Sequence, residues 1–86
     1  MILSYLEARG LALSSLGKFQ EAITWYDKAL ETSPTDTFIL ENKAVALSEL
    51  GKYDEAITYY DKVLTLEPNN ANALDGKKLA LTLTKQ

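Results

Sequence analysis

The chain repeats itself with a period of 34 residues, and this repeat limits the possible fold more than any other feature. The segment LGKFQEAIT at residues 16–24 returns as LGKYDEAIT at residues 50–58, and aligning residues 3–36 with residues 37–70 gives 17 identities at 34 positions. A unit of this length is typical of solenoids, in which each unit covers the apolar face of its neighbour. The sequence therefore predicts a single domain over residues 1–86, with repeat 1 at residues 3–36, repeat 2 at residues 37–70 and a shorter segment at residues 71–85.

Each unit contains two blocks of apolar residues at helical spacing. In repeat 1 the first block runs from Leu6 to Leu16, and Gly17 ends it because glycine tolerates a positive φ. The second block ends at Pro34, since proline cannot continue the backbone hydrogen bonds of a helix. Repeat 2 has a glycine and a proline at the same places. The sequence therefore predicts an all-α fold of five helices, two pairs followed by a single C-terminal helix.

The repeated unit resembles the tetratricopeptide repeat (TPR), a 34-residue pair of antiparallel helices. The resemblance depends on small residues where this family packs its two helices, then an aromatic residue, a small residue and a closing proline: Gly10, Ala22, Tyr26, Ala29, Pro34, Ala44, Ala56, Tyr60, Val63 and Pro68. It implies a right-handed superhelix of helix pairs. The alternative is the 35-residue pentatricopeptide unit, which reads RNA. The period of 34, the acidic balance and the prolines argue against that alternative.

Two positions depart from the TPR pattern. The early tryptophan-like position is leucine in all three segments, at Leu6, Leu40 and Leu74. The leucine that normally precedes the small residue is basic, at Arg9, Lys43 and Lys77. We expect these basic side chains to pack their aliphatic stems on the neighbouring helix while their charges reach water.

The two ends of the chain differ in character. Lys78 occupies the small-residue position of the third segment, so residues 71–85 are expected to form a solvating cap, with a truncated array as the alternative. The N-terminal end is apolar. Three interpretations stay open for it: a longer array, dimerisation through this end, or a tolerated patch. The residues predicted for self-association are Ile2, Leu3, Tyr5 and Leu6.

Composition argues against several functions. The chain has no histidine and no cysteine, and its motifs show no nucleophile with a base, so we expect no enzyme, no cofactor and no metal site. The net charge of −3 disfavours nucleic acid, although RNA contact stays a weaker alternative. No apolar run is long enough for a membrane span, and a cytoplasmic location is expected.

The TPR resemblance implies a concave groove, lined by the first helix of each pair, that binds a peptide or protein. The positions that match are Ser4, Glu7, Leu11, Ser14, Ser15, Phe38, Glu41, Asn42, Val45, Ser48, Glu49, Asn72, Asp75, Leu79 and Thr82. Glu7, Glu41 and Asp75 recur at one register and would form a ladder of acids along the groove. TPR proteins that bind acidic chaperone tails have lysine and asparagine where this chain has Glu7 and Leu11, so such a tail is an unfavourable ligand.

We therefore expect a neutral to basic partner with apolar anchors, held by Leu11, Phe38, Val45 and Leu79. Two simpler interpretations stay open. The acids are ordinary solvated surface groups, or Phe38 packs against the end of the preceding pair. At the level of function, the prediction is a non-catalytic protein-interaction module. The alternative is a structural scaffold piece that forms a homodimer through its N-terminal face.

Overall fold

The predicted five helices are present. The computed structural model describes the backbone of residues 2–85 and the side chains of residues 3–85. Its helices are α1 (Ile2–Ser15), α2 (Phe19–Thr32), α3 (Thr37–Glu49), α4 (Tyr53–Leu66) and α5 (Ala71–Thr84), and residues 2–85 contain no strand. Met1, Gln86 and the side chain of Ile2 lie outside the described part.

The turn inside each helix pair is set by a glycine. Gly17 has φ 78° and Gly51 has φ 79°, in the left-handed region that favours glycine. Behind Gly17, the N–H of Lys18 donates to the carbonyl of Leu13 at 2.8 Å, and the N–H of Gly17 donates to Ser14 at 2.9 Å. These are the two bonds of a Schellman motif, which satisfies carbonyls at the end of α1. The turn after α3 repeats this pattern, so the two pairs have the same geometry.

The connection between pairs ends in a side-chain N-cap. The carboxylate of Asp36 accepts hydrogen bonds from the N–H groups of Phe38 at 3.0 Å and Ile39 at 3.2 Å. Asn70 accepts from the N–H of Ala73 at 2.9 Å in the same place before α5. Each cap satisfies N–H groups that would otherwise lack a partner at the start of a helix.

Small residues allow the paired helices to approach closely. Ala22, Ala44 and Ala56 are fully buried, and Gly10 is buried with them. A Cβ atom added to Gly10 would lie 2.4 Å from Cε1 of Tyr26. The aromatic rings of α2 and α4 therefore take the space that side chains at these crossings would need.

The junction between units contains a salt bridge that the sequence analysis did not predict. The Lys43 ammonium lies 2.5 Å from the Asp27 carboxylate and donates to the Tyr59 hydroxyl at 2.9 Å. Lys77 pairs with Asp61 at 2.7 Å in the next junction. The expectation that these charges reach water is wrong for Lys43, whose side chain is only 13% exposed. Its charge is stabilised between units because α2 presents a carboxylate to it.

The stacking gives the molecule an inner and an outer side. Each helix packs on the next one along the chain, and in addition α1 contacts α3 and α3 contacts α5. Among residues 2–85, the second helices α2 and α4 make no corresponding contact with each other. The first helices are therefore closer together, as expected for the inner side of a superhelix.

We expect Ala56→Leu to destabilise the fold by about 1–3 kcal/mol, because a larger side chain has no room at this crossing. Thermal unfolding followed by circular dichroism measures the change. For a domain of this size, each 1 kcal/mol corresponds to a fall of roughly 4–8 °C in Tm.

Ala71→Leu is the matched control, since Ala71 is helical but exposed and the substitution is chemically the same. Its Tm is expected to stay unchanged. An equal Tm for the two variants would show that the crossing at Ala56 is not tightly packed.

Candidate peptide-binding surface

Four apolar side chains of the predicted groove are open to solvent. Leu11, Phe38, Val45 and Leu79 are 37%, 51%, 44% and 60% exposed. They come from three different first helices, α1, α3 and α5, which form the inner side of the stack. Half of Phe38 is uncovered, so the preceding helix pair does not enclose it. Binding of a partner here is favourable because it removes the apolar surface of these side chains from water.

Two tyrosines of the second helices bring their hydroxyl groups to the groove serines. The Tyr26 hydroxyl lies 3.1 Å from Oγ of Ser14. Burial raises the pKa of Tyr60, the charges of Glu41 and Glu49 add to this, and a hydrogen bond with Ser48 opposes it. The charges of two groove residues and the hydroxyl of a third therefore act on the pKa of Tyr60. The sequence analysis assigned both tyrosines to the core alone, since apolar periodicity does not show where a hydroxyl points.

Gly76 also has a packing role that the sequence analysis missed. A Cβ atom at Gly76 would lie 2.4 Å from Cζ of Tyr60, so glycine allows α5 to pass close to the ring. The sequence signal was present, because an isolated glycine within a helical pattern often has a packing reason.

The groove acids contact the N-caps of the following helices. Glu41 accepts a hydrogen bond at 3.3 Å from the side-chain amide of Asn70. Glu7, 34 residues earlier, faces Asp36 instead. Burial, then the charge of Asp36 and a hydrogen bond with it, raise the pKa of the Glu7 carboxyl above its usual value. The same site therefore holds a favourable amide–carboxylate pair in one unit and two carboxyl groups in the other.

The remaining predicted groove residues divide into two groups. The first group forms side-chain hydrogen bonds within its own helix. The Asn42 amide donates to the carbonyl of Phe38 at 2.9 Å, and the Thr82 hydroxyl donates to the carbonyl of Lys78 at 3.0 Å. The others are exposed and have no side-chain hydrogen bond among the described residues; these are Ser4, Ser15, Glu49, Asn72 and Asp75. The second group provides polar contacts around the apolar side chains.

Of the residues predicted for self-association, the three whose side chains are described differ in exposure. Leu3 and Leu6 are partly buried and pack against the core. Tyr5 is exposed and lies edge-on to Trp25, with 6.0 Å between the ring centroids. The side chain of Ile2 falls outside the described residues. Among the described side chains of this set, Tyr5 is therefore the exposed one.

The described residues form open clefts on the surface. A cleft of about 350 Å³ is lined by Pro34, Thr35, Leu40, Lys62, Thr65 and Leu66, and thus lies away from the inner side. Among the described residues, no group of three acidic, histidine or cysteine side chains is placed to hold a metal. No helix of residues 2–85 has the length and apolar character to cross a membrane.

These features define a class of protein: an α-helical solenoid whose first helices present an open surface. The sequence profile of the tetratricopeptide repeat matches residues 6–36 and 38–70. The chain belongs to the tetratricopeptide repeat family, whose repeats generally act as non-catalytic protein-interaction modules. No curated protein sequence matches the chain significantly.

Two solved structures share this fold. The Sgt2 TPR domain from Aspergillus fumigatus superposes with a TM-score of 0.91 at 24% identity, over 96% of this chain and 55% of that one. A MamA D159K mutant superposes with a TM-score of 0.88, also at 24% identity, over 96% of this chain and 46% of that one. The chain thus spans about half the length of these structures, and at this identity the likeness shows the fold.

We expect Asp36→Asn to lower the pKa of Glu7, because it removes the neighbouring charge and provides the amide that Asn70 provides in the second unit. The N-cap is retained, since asparagine and aspartate cap equally well. Carboxyl-carbon NMR titration measures the change. Because the folded pKa of Glu7 is raised, its contribution to stability is complete below its unfolded pKa and is lost as pH rises through the folded value. The substitution is expected to reduce that loss.

Asn70→Asp is the mirror-image control, and it is expected to lower Tm because it replaces the hydrogen bond from the Asn70 amide to Glu41 by a pair of like charges. If Glu7 titrates at the same pH in the unaltered chain and in the Asp36→Asn variant, the two carboxyl groups do not interact.

Proposed function

We propose that the chain is a non-catalytic module that binds a peptide or a protein segment along the inner side of α1, α3 and α5. The observation that carries this proposal is the row of half-exposed apolar side chains, Leu11, Phe38, Val45 and Leu79, on three adjacent helices. Apolar anchors that become buried supply most of the binding free energy at such surfaces. Burial of apolar area contributes roughly 25 cal/mol per Å², offset by the cost of ordering both partners.

The charge of this surface favours a neutral to basic partner. Carboxylates of Glu7, Glu41, Glu49 and Asp75 come from the same three helices as the apolar anchors. Among residues 2–85 neither of the two salt bridges involves these acids, because both join Lys to Asp at the unit junctions. Basic side chains of a partner are attracted, while an acidic segment meets like charges. Exposed charges act mainly on preference and association rate, so the apolar anchors remain the source of affinity.

The first test is selection from a displayed library of 12-residue peptides, with the full chain as bait. We expect enrichment of peptides that combine apolar and basic residues. A selected peptide should bind Phe38→Ser and Leu79→Ser about tenfold or more weakly, since each change removes an anchor of roughly the size that alanine scanning finds important. Fluorescence anisotropy measures the affinity.

Leu66→Ser is the matched control. Leu66 is 46% exposed, like the anchors, but it lies on α4 and lines the cleft away from the inner side. It is expected to leave binding unchanged. Enrichment of acidic peptides, or loss of binding only in the Leu66 variant, would contradict the proposal.

The salt dependence of binding distinguishes the contribution of charge from that of the apolar side chains. We expect binding of a basic peptide to weaken modestly between 50 and about 500 mM salt, because exposed charge pairs are screened over roughly 10 Å at 0.1 M. Binding that vanishes with salt would instead mean that charge, and not the apolar row, supplies the affinity.

Self-association through the N-terminal end is the second candidate function. It is supported by Tyr5, which is exposed, but not by Leu3 and Leu6, which pack against the core. Light scattering over a hundredfold range of concentration distinguishes a dimer from a monomer. A dimer that Tyr5→Ser converts to a monomer would favour this function.

A further inference from the structure

The outer face of α1 corresponds, residue by residue, to a face of the other two first helices in which the first three of four positions are buried or half-buried and the fourth is exposed. We name it the α1 outer face and define it as Tyr5, Arg9, Ala12 and Leu16. The period of 34 relates these positions to Ile39, Lys43, Ala46 and Leu50 of α3, and to Ala73, Lys77, Ala80 and Thr84 of α5. The spacing of four, three and four residues places each set on one side of its helix.

In α3 and α5 this face packs on the second helix of the preceding unit. Ile39 and Ala46, on either side of Lys43, are buried, and Lys43 reaches Asp27 of α2. Ala73 and Ala80 are buried around Lys77 in the same way, and Lys77 reaches Asp61 of α4. The junction thus consists of an apolar pair around one lysine–aspartate bridge.

In α1 the same face is open. Tyr5 is 54% exposed and Leu16 is 70% exposed, and Arg9 and Ala12 between them are exposed as well. Leu16 is the most exposed of the large hydrophobic residues of the described part. The face is therefore an apolar strip with a cation at its centre.

Arg9 already occupies part of the junction geometry. Its guanidinium lies 4.9 Å from the ring centroid of Trp25, just as the Lys43 ammonium lies 4.3 Å from that of Tyr59. The aromatic ring on the following helix thus holds the cation in both units. What Arg9 lacks, among residues 2–85, is the carboxylate that Asp27 supplies to Lys43.

We propose that the α1 outer face binds an amphipathic helix of a partner protein that carries an aspartate for Arg9. The partner helix must have the side-chain pattern of α2 and α4, whose sequences are ITWYDKAL at residues 23–30 and ITYYDKVL at residues 57–64. In both, aliphatic residues lie four positions before and three positions after the aspartate. A bidentate arginine–aspartate pair fixes the register of the incoming helix, and the apolar strip supplies the buried area.

A second copy of this chain fits the face less well than a separate partner. The two aspartates with this pattern, Asp27 and Asp61, are already paired with Lys43 and Lys77. A second copy would have to break one of these junctions to offer its carboxylate. The inferred site also lies apart from the inner row of apolar residues, so it does not depend on the proposed peptide groove.

The probe for this site is a capped peptide of residues 53–66, the sequence of α4, added to the isotope-labelled full chain. We expect backbone NMR shifts to be confined to the surroundings of Tyr5, Arg9, Leu16 and Trp25. Arg9→Glu is expected to weaken binding about tenfold or more, because it places two carboxylates together. The peptide with Asp61→Arg should restore binding to Arg9→Glu but not to the unaltered chain.

A peptide with Asp54→Asn is the control, since Asp54 lies in the first turn of α4 and is exposed. It should bind the unaltered chain as the original peptide does. Shifts centred on α5 or on the inner row, or charge reversal without effect, would overturn the proposal.

Because isolated helices of this length are marginal in water, a tethered form is measured in parallel. In it a second copy of residues 53–70 directly precedes Leu3, which retains the register found at residues 70 and 71. We expect Tm to rise above that of the unextended chain, and Asp61→Asn in the added copy or Arg9→Gln to remove part of the rise. The two changes together should reduce the rise in Tm by no more than one of them alone. No rise in Tm, or additive effects, would overturn the proposal.

Light scattering of the unextended chain tests whether a second copy of the chain occupies the α1 outer face instead. A monomer is expected. A dimer that Leu16→Ser abolishes would assign the face to a second copy and would overturn the proposal of a separate partner.

Discussion

Tyr26 and Tyr60 are the side chains around which the helices are arranged. Each is buried, and each meets a neighbouring helix at a glycine: Tyr26 at Gly10 and Tyr60 at Gly76. The close crossings exist because these positions have no Cβ atom and because Ala22, Ala44 and Ala56 have no side chain beyond it. The rings therefore fix the distance between helices, and that distance determines which residues of α1, α3 and α5 reach the inner side.

The same contacts connect the core to the candidate binding surface. The hydroxyl of Tyr26 is at hydrogen-bond distance from Ser14, a groove residue, and Ser48, Glu41 and Glu49 influence the pKa of Tyr60. A change in helix packing would move these hydroxyl groups and the adjacent acids together. The groove is thus a consequence of the core packing, and its apolar row is exposed because the inner faces of the first helices have no further layer to pack on.

Charge is used differently at the junctions and in the groove. At the junctions, burial by itself lowers the pKa of Lys43, but hydrogen bonds to Asp27 and Tyr59 and the charge of Asp27 raise it above its usual value. In the groove, Glu7 faces Asp36 and its pKa is raised because burial and a like charge disfavour ionisation. The first arrangement holds units together, whereas the second places two like-charged groups side by side. The α1 outer face has the cation of a junction without its carboxylate.

The period of 34 and the helix-ending glycines and prolines were sufficient to predict the number of helices, their pairing and the family, because each signal acts within a short stretch of chain. The sequence also predicted that Leu11, Phe38, Val45 and Leu79 line one groove; all four side chains are exposed, and the groove itself stays a prediction. Only the tertiary structure decided which charges are paired. The Lys43–Asp27 bridge joins residues 16 positions apart on different helices, and the contact of Glu7 with Asp36 spans 29. Such distances depend on how the units stack, which the local pattern of a single helix does not encode.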